Sequence, residues 1–222
     1  MPRTDRPIIL LTTDLVEAEE DEYRLRANYA EAITEAGGAP LMLPCEAAGL
    51  DAVVAAAHGV VITGTAPGAS VSERRRSFEA ALVERALARD MPLLGICHGM
   101  QVIGEALGGT IGRDLPNLLV ESGPHIPHPV PDRLAHPIRL ANGSRLAHWS
   151  GGKAAQVNSL HRHALVGAGA FQVAAWAPDG VLEAFEVRER RFCLGVQWHP
   201  EYRLTTLDRR VLVEFVRCAA GG

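Results

Sequence analysis

Residues 91–110 read MPLLGICHGMQVIGEALGGT. An apolar run, Leu93-Leu94-Gly95-Ile96, follows Pro92 and gives way at Cys97 to helical spacing, with Val102, Ile103, Ala106 and Leu107 on one face, until Gly108-Gly109 stops it. A strand therefore runs straight into a helix at a cysteine. Gly95-Ile96-Cys97-His98-Gly99 is a G-x-C-x-G turn, the thiol counterpart of the G-x-S-x-G nucleophile elbow, whose flanking glycines let a strained backbone lift the nucleophile out of the sheet. At a helix N-terminus the unpaired N–H groups and the helix dipole favour a thiolate over the usual thiol pKa of ~8.5, and the same N–H groups can hold an oxyanion. The other reading is a buried cysteine in a tight glycine turn, and the motif alone does not decide between them.

A second stretch, FCLGVQWHPE over residues 192–201, reads as a strand that ends in His199, Pro200 and Glu201. In an open parallel sheet, ligands bind beyond the carboxyl ends of the strands, so this imidazole and carboxylate can meet Cys97 at one edge. A thiol, a base and a carboxylate that orients the base make the generalised triad. A polar strand end leading into a helix is the plainer alternative for the His-Pro-Glu turn, and the pairing of both motifs in this order favours catalysis.

Gly95-Ile96-Cys97-His98-Gly99-Met100-Gln101 together with Gly195-Val196-Gln197-Trp198-His199-Pro200-Glu201 resembles the class I glutamine amidotransferase-like superfamily. Within it the chain is most similar to the γ-glutamyl-γ-aminobutyrate hydrolases, through Arg6-Pro7-Ile8-Ile9, Gly37-Gly38-Ala39-Pro40 with Leu43-Pro44, Val157-Asn158-Ser159-Leu160-His161, and Ala177-Pro178-Asp179-Gly180 with Glu183-Ala184. The resemblance implies an α/β fold: an open, mostly parallel, doubly wound sheet flanked by helices, with a small antiparallel extension. It implies Cys97, His199 and Glu201 as catalytic residues. It also implies an oxyanion hole from the Gly64 or Thr65 backbone and the His98 N–H, and substrate contacts at Gln101, Asn158, Ser159 and His161. Two departures stand out. After Gly64 the chain passes through Thr65-Ala66-Pro67-Gly68-Ala69-Ser70 directly to Ser72, where the hydrolases carry a longer loop, and His98 stands where they often have arginine.

Composition is compatible with one catalytic domain over residues 1–222. A chain of 222 residues with 47% hydrophobic content can bury a sizeable core. Twenty-two basic and 26 acidic residues give a net charge of −4, too mild to argue for nucleic acid or an anionic membrane as partner. Cys45, Cys97, Cys193 and Cys218 show no paired spacing, and no segment has the ~18 unbroken apolar residues of a membrane span, so a reduced, cytoplasmic setting is expected.

Read in order, 7–12, 39–43 and 59–63 are expected strands, and 23–36, 51–58, 72–89 and 205–219 expected helices. Residues 13–22 read as an acidic, solvated loop, and Arg74-Arg75-Arg76 as a solvated helix face. Residues 112–134 read as a long proline-rich loop, followed by strands at 136–140, 155–158, 171–176, 181–187 and 191–198, with Pro178-Asp179-Gly180 a hairpin turn. His125, His128 and His136 form no ligand set on this reading, since no cysteine or carboxylate completes one and the prolines prevent a shared helix face. No metal and no cofactor is expected.

The expected chemistry is attack by Cys97 on a γ-glutamyl amide, with His199 and Glu201 as base and orienter, and release of glutamate from a γ-glutamyl thioester. The partner is a small γ-glutamyl molecule. A glutaminase subunit passing ammonia to a synthase, and a non-enzymatic binding protein, are the competing readings, and whether the chain forms a homodimer stays open.

Overall fold

The computed structural model describes residues 6–18, 21–65, 70–112, 125–126 and 130–221. Among them nine strands form one sheet. They are β1 (Ile8–Thr12), β4 (Ala39–Leu43), β5 (Gly59–Ile62), β6 (Leu93–Ile96), β8 (His136–Leu140), β9 (Ala155–Val157), β11 (Gln172–Trp176), β12 (Leu182–Glu186) and β13 (Cys193–Val196), in the order β4-β1-β5-β6-β13-β12-β11-β8-β9. The first five in that order run parallel, and the remaining four are joined antiparallel. The antiparallel extension holds four of the nine strands, and each lies within a span expected as a strand from the sequence.

The central strands β5, β6 and β13 are buried along their whole length, which is why GVVI, LLGI and CLGV read as unbroken apolar runs. β1 shows the two-sided burial most plainly. Ile9 and Leu11 face one core together with α1 (Ala27–Glu35), α5 (Arg145–Ser150) and α6 (Thr206–Ala219). Leu10 faces the other, beneath α2 (Leu50–Ala56), α3 (Glu73–Ala88) and α4 (His98–Ala106). Helices thus cover both faces of the parallel half, as a doubly wound sheet requires. Two small antiparallel pairs lie outside the main sheet: β2 (Asp14–Val16) with β3 (Glu22–Arg24), and β7 (Ile111–Gly112) with β10 (Ala164–Leu165).

The acidic segment is therefore a hairpin rather than a loop. Within it Asp21 is met by Arg74 at 3.0 Å and Glu22 by Arg24. α5 was not expected from the sequence, and its six residues are held by Ser144 Oγ, which accepts the Ala147 N–H. α6 opens on a reciprocal capping box between Thr205 and Asp208, and Asp208 also accepts the Trp198 indole N–H at 3.0 Å. That bond ties the last helix to the residue preceding His199. Most of residues 112–134, His128 and the segment 66–69 after Thr65 lie outside the described residues.

Candidate active site

β6 and β13 are paired in parallel register, Ile96 beside Val196, and β5 lies on the other side of β6 with Ile62 beside Gly95. Three strand ends therefore finish side by side, carrying Cys97, Gln197 to His199, and Thr63 to Thr65. The Cys97 N–H donates to Val196 O at 2.8 Å, continuing the ladder one residue past β6. The chain then reverses into α4, with Cys97 at φ 53° and ψ −105°. This is positive-φ backbone, costly for a residue with a Cβ and typical of a strained functional position.

The glycines around it act through space rather than through φ. A Cβ on Gly99 would lie 1.9 Å from Ile62 O, and one on Gly95 would lie 2.6 Å from Gly99 O. The elbow thus needs Gly95 and Gly99 so that α4 can approach β5 and β6 closely, while the unusual torsion falls on Cys97 itself. His98 and Gly99 begin α4, so their N–H groups have no intrahelical acceptor.

His199 ends the β13 segment, and Pro200 turns the chain at once into a short 3-10 helix, Pro200–Tyr202, that folds Glu201 back onto the imidazole. His199 Nδ1 and Glu201 Oε1 are 2.8 Å apart, with both side chains almost fully buried. A carboxylate can only accept here, so the proton sits on Nδ1 and Nε2 is left as the working nitrogen. Burial pushes the imidazole pKa down, but the Glu201 carboxylate and the Cys97 thiolate outweigh it and hold the imidazolium up to about 10. Cys97 Sγ also lies 3.6 Å from the Gln197 amide and 3.9 Å from Leu160 O.

The chain segment 7–201 matches the family described as Peptidase C26. The chain belongs to the Peptidase C26 family. It is 38% identical to a Mycobacterium tuberculosis protein provisionally named a glutamine amidotransferase, over 97% of this chain and 76% of that one. It is 31% identical to the γ-glutamyl-γ-aminobutyrate hydrolase of Escherichia coli K12, over 80% of this chain and 78% of that one. The fold is that of class I glutamine amidotransferase domains: the glutaminase domain of Trypanosoma brucei CTPS superposes with a TM-score of 0.70 at 17% identity, covering 97% of this chain and 94% of that one.

In this Peptidase C26 chain Gly64 sits against Cys97 and His199, since a Cβ there would lie 3.1 Å from His199 Cε1 and 3.6 Å from Cys97 Cβ. Its N–H already has an acceptor, the Tyr29 hydroxyl at 2.9 Å. Thr65 follows at the lip of the cleft, its hydroxyl 3.5 Å from Arg75 Nη1. Arg75, expected on a solvated face, is instead almost fully buried. It donates to Glu79 at 2.9 Å, to Thr63 O and Gly64 O at 3.2 Å each, and to Asp14. Glu79 in turn lies 2.7 Å from the His98 ring and 3.0 Å from Thr12 Oγ1. Burial pushes the Glu79 carboxyl up, yet the Arg75 and His98 charges bring it below the usual range. The spacing Arg75, Phe78, Glu79, Leu82 follows one helix face, the signal by which Arg75 could have been placed inside.

The four residues assigned to substrate by resemblance are all buried and bonded within the protein. The Gln101 amide donates to His163 O at 2.9 Å and to Gln197 Oε1 at 3.2 Å, one step from the Cys97 sulfur. Asn158 accepts the His199 N–H at 2.8 Å and donates to His199 O at 3.0 Å, clamping the base's backbone. Ser159 Oγ donates to His125 O at 2.8 Å. His161 turns away from the cleft, to His125 at 3.1 Å. Gln197 and Tyr29 were not singled out from the sequence. Gln197 is two residues before His199 in an extended segment and so shares its face, a usable signal, whereas nothing local marks Tyr29.

The cleft over this edge is lined by Tyr29, Gly64, Thr65, Leu160, His199 and Tyr202 among others. Arg26 and Asp14 stand at its walls with opposite charges. Among the described residues no helix is long and apolar enough to cross a membrane.

Proposed function

We propose that the protein hydrolyses the γ-glutamyl amide bond of a γ-glutamyl amine or amino acid, releasing glutamate through a γ-glutamyl thioester on Cys97. The observation that carries this reading is the strained Cys97 beside a buried His199 whose imidazolium is held up to about 10 by Glu201 and the thiolate. With the thiol proton on His199, the sulfur is the nucleophile and the imidazolium the acid, each charged for its role. The sulfur attacks the γ-carbonyl, and the oxyanion is met by the His98 N–H at the start of α4 and by the Gly64 or Thr65 backbone. The imidazolium proton passes to the leaving amine as the C–N bond breaks. Neutral His199 then takes a proton from water, which cleaves the thioester, and the ion pair is restored. The opposite charges of Arg26 and Asp14 in the cleft suit the α-carboxylate and α-ammonium of a glutamyl group. The similarity to a named γ-glutamyl-γ-aminobutyrate hydrolase supports the choice of leaving group class.

A glutaminase that supplies ammonia to a partner is the second reading, favoured by the names of the Mycobacterium tuberculosis and Trypanosoma brucei relatives. Turnover of glutamine, γ-glutamyl-γ-aminobutyrate and γ-glutamyl amines by the purified chain and by Cys97→Ser separates the two. Glutamate release from the substituted amides, abolished in the variant, supports the hydrolase. Release confined to glutamine supports the glutaminase, and no release from any of them removes both.

A further inference from the structure

On the antiparallel half of the sheet, four buried side chains from separate segments converge. Glu183 comes from β12, His136 opens β8, His161 follows β9, and His125 precedes β8. Glu183 is fully buried, and the three histidines are each at least nine-tenths buried. His125 Nδ1 lies 3.1 Å from His161 Nε2 and 3.6 Å from Glu183 Oε1, and His161 Nε2 lies 3.4 Å from the same oxygen. His136 Nε2 approaches that oxygen as well, at 3.6 Å.

The outer contacts favour one tautomer for each ring. His125 Nε2 faces Asp179 Oδ2 at 2.8 Å, His161 Nδ1 faces His163 O at 3.2 Å, and His136 Nδ1 faces Pro137 O at 3.1 Å. A carboxylate and two carbonyls accept and do not donate, so each imidazole, when neutral, carries its hydrogen on the outward nitrogen and turns a lone pair inward. With the three rings neutral, four acceptors meet with no hydrogen among them. Both Glu183 oxygens and His136 Nε2 are buried without a hydrogen-bond partner. Such a group of unsatisfied acceptors lacks a positive centre, and buried polar atoms are seldom left that way.

We propose that His125, His161 and Glu183 bind a divalent transition metal, with zinc the best match, and that His136 stands beside the same carboxylate as a fourth donor. Tetrahedral zinc with bonds of ~2.0–2.2 Å to nitrogen and oxygen places its ligands ~3.3–3.6 Å apart, and the three edges of the His125, His161, Glu183 triangle fall around that value. The outward bond of each histidine, to Asp179 or to a carbonyl, is the arrangement that orients metal-bound imidazoles. Glu183 is remote in the chain from His125 and His136 and arrives only through strand pairing, so sequence spacing does not show the carboxylate that completes the set. The site is structural in role. The segment that carries His161 also carries Asn158, which clamps His199, and Ser159, which holds His125 O. A metal here would pin that segment through His161.

The test uses Cys97→Ser protein, so that the nucleophile cannot capture the ion, stripped with chelator and titrated with Zn²⁺ alone by calorimetry. One equivalent bound at micromolar affinity or tighter is expected, weakened at least a hundredfold in Glu183→Gln and in His161→Gln. X-ray absorption on zinc-loaded wild-type protein, which needs no variant to fold, should show a first shell of nitrogen and oxygen only. Absence of stoichiometric binding, affinity unchanged in both variants, or sulfur in the first shell overturns the proposal. In the first of those cases the cluster is a histidine–glutamate network sharing a proton.

Discussion

The hydroxyl of Tyr29 accepts the N–H of Gly64 at 2.9 Å, at the edge of the cleft where the resemblance puts an oxyanion donor. Burial, and then the negative charge of Glu201, push the Tyr29 phenol well above its ordinary pKa, so it is a neutral hydroxyl at any working pH. A substrate oxyanion that uses the Gly64 N–H must take the place of this hydroxyl. Tyr29→Phe is therefore expected to lose about 1 kcal/mol of stability while kcat/KM stays within a few fold of wild type. Thermal melts and steady-state kinetics check both, and a hundredfold fall in kcat/KM would give the hydroxyl a part in the transition state instead.

The His199 imidazole sets an alkaline limit. Its pKa rises from 6.5 to about 10 on folding, so the stability it contributes is complete below about 6.5 and is lost as pH climbs through about 10. Activity should fall over the same upper range, because the leaving amine then finds no proton on His199. Glu201→Gln removes the charge that holds the proton. The alkaline limb of kcat/KM should move toward neutrality and the maximum drop by roughly a hundredfold or more. An unmoved limb in a pH–rate profile would mean that another group sets it.

Two glycines at the site should respond differently to a methyl group. On Gly99 it would meet backbone, Ile62 O at 1.9 Å, and neither strand nor helix can retreat cheaply. Gly99→Ala should cost about 3 kcal/mol or more and lower solubility. On Gly64 the nearest atom is the tip of Tyr29, at 2.8 Å, which can shift, followed by His199 Cε1 at 3.1 Å. Gly64→Ala should fold and lose activity. Expression yield, melting temperature and turnover of the pair are the comparison, and equal stability of both would refute it.

Arg75 and Glu79 form a buried ion pair that also grips Thr63 O and Gly64 O. Arg75→Leu leaves the Glu79 carboxylate without its main counter-charge and should cost about 3–5 kcal/mol. The double variant Arg75→Leu/Glu79→Leu should recover a good part of that, while activity stays low because Gly64 loses its backbone support. Denaturant melts of the two variants decide the matter, and a single variant within 1 kcal/mol of wild type would show the pair to be dispensable.

Periodicity and turn chemistry were enough to read the parallel half of the fold from the sequence. The runs GVVI, LLGI and CLGV are apolar throughout because both faces of those strands are buried, and Gly37 ends α1 at φ 97°, where a side chain would be strained. The strand-to-helix switch at Cys97 and the His-Pro-Glu turn were legible for the same reason, since each is a local backbone event written in adjacent residues. What depended on partners distant in the chain was not. Arg75 reads as a surface charge in the sequence because, apart from Glu79 on its own helix, its acceptors come from β2 and from the residues just after β5. The hairpin at 14–24, the Tyr29 hydroxyl over Gly64, and the inward turn of Asn158, Ser159 and His161 likewise exist only once strands have paired. The meeting of Glu183 with three histidines was invisible for the same physical reason. Sequence spacing orders residues along one element, whereas the lone pairs that converge there are brought together by the pairing of β8, β11 and β12 across the sheet.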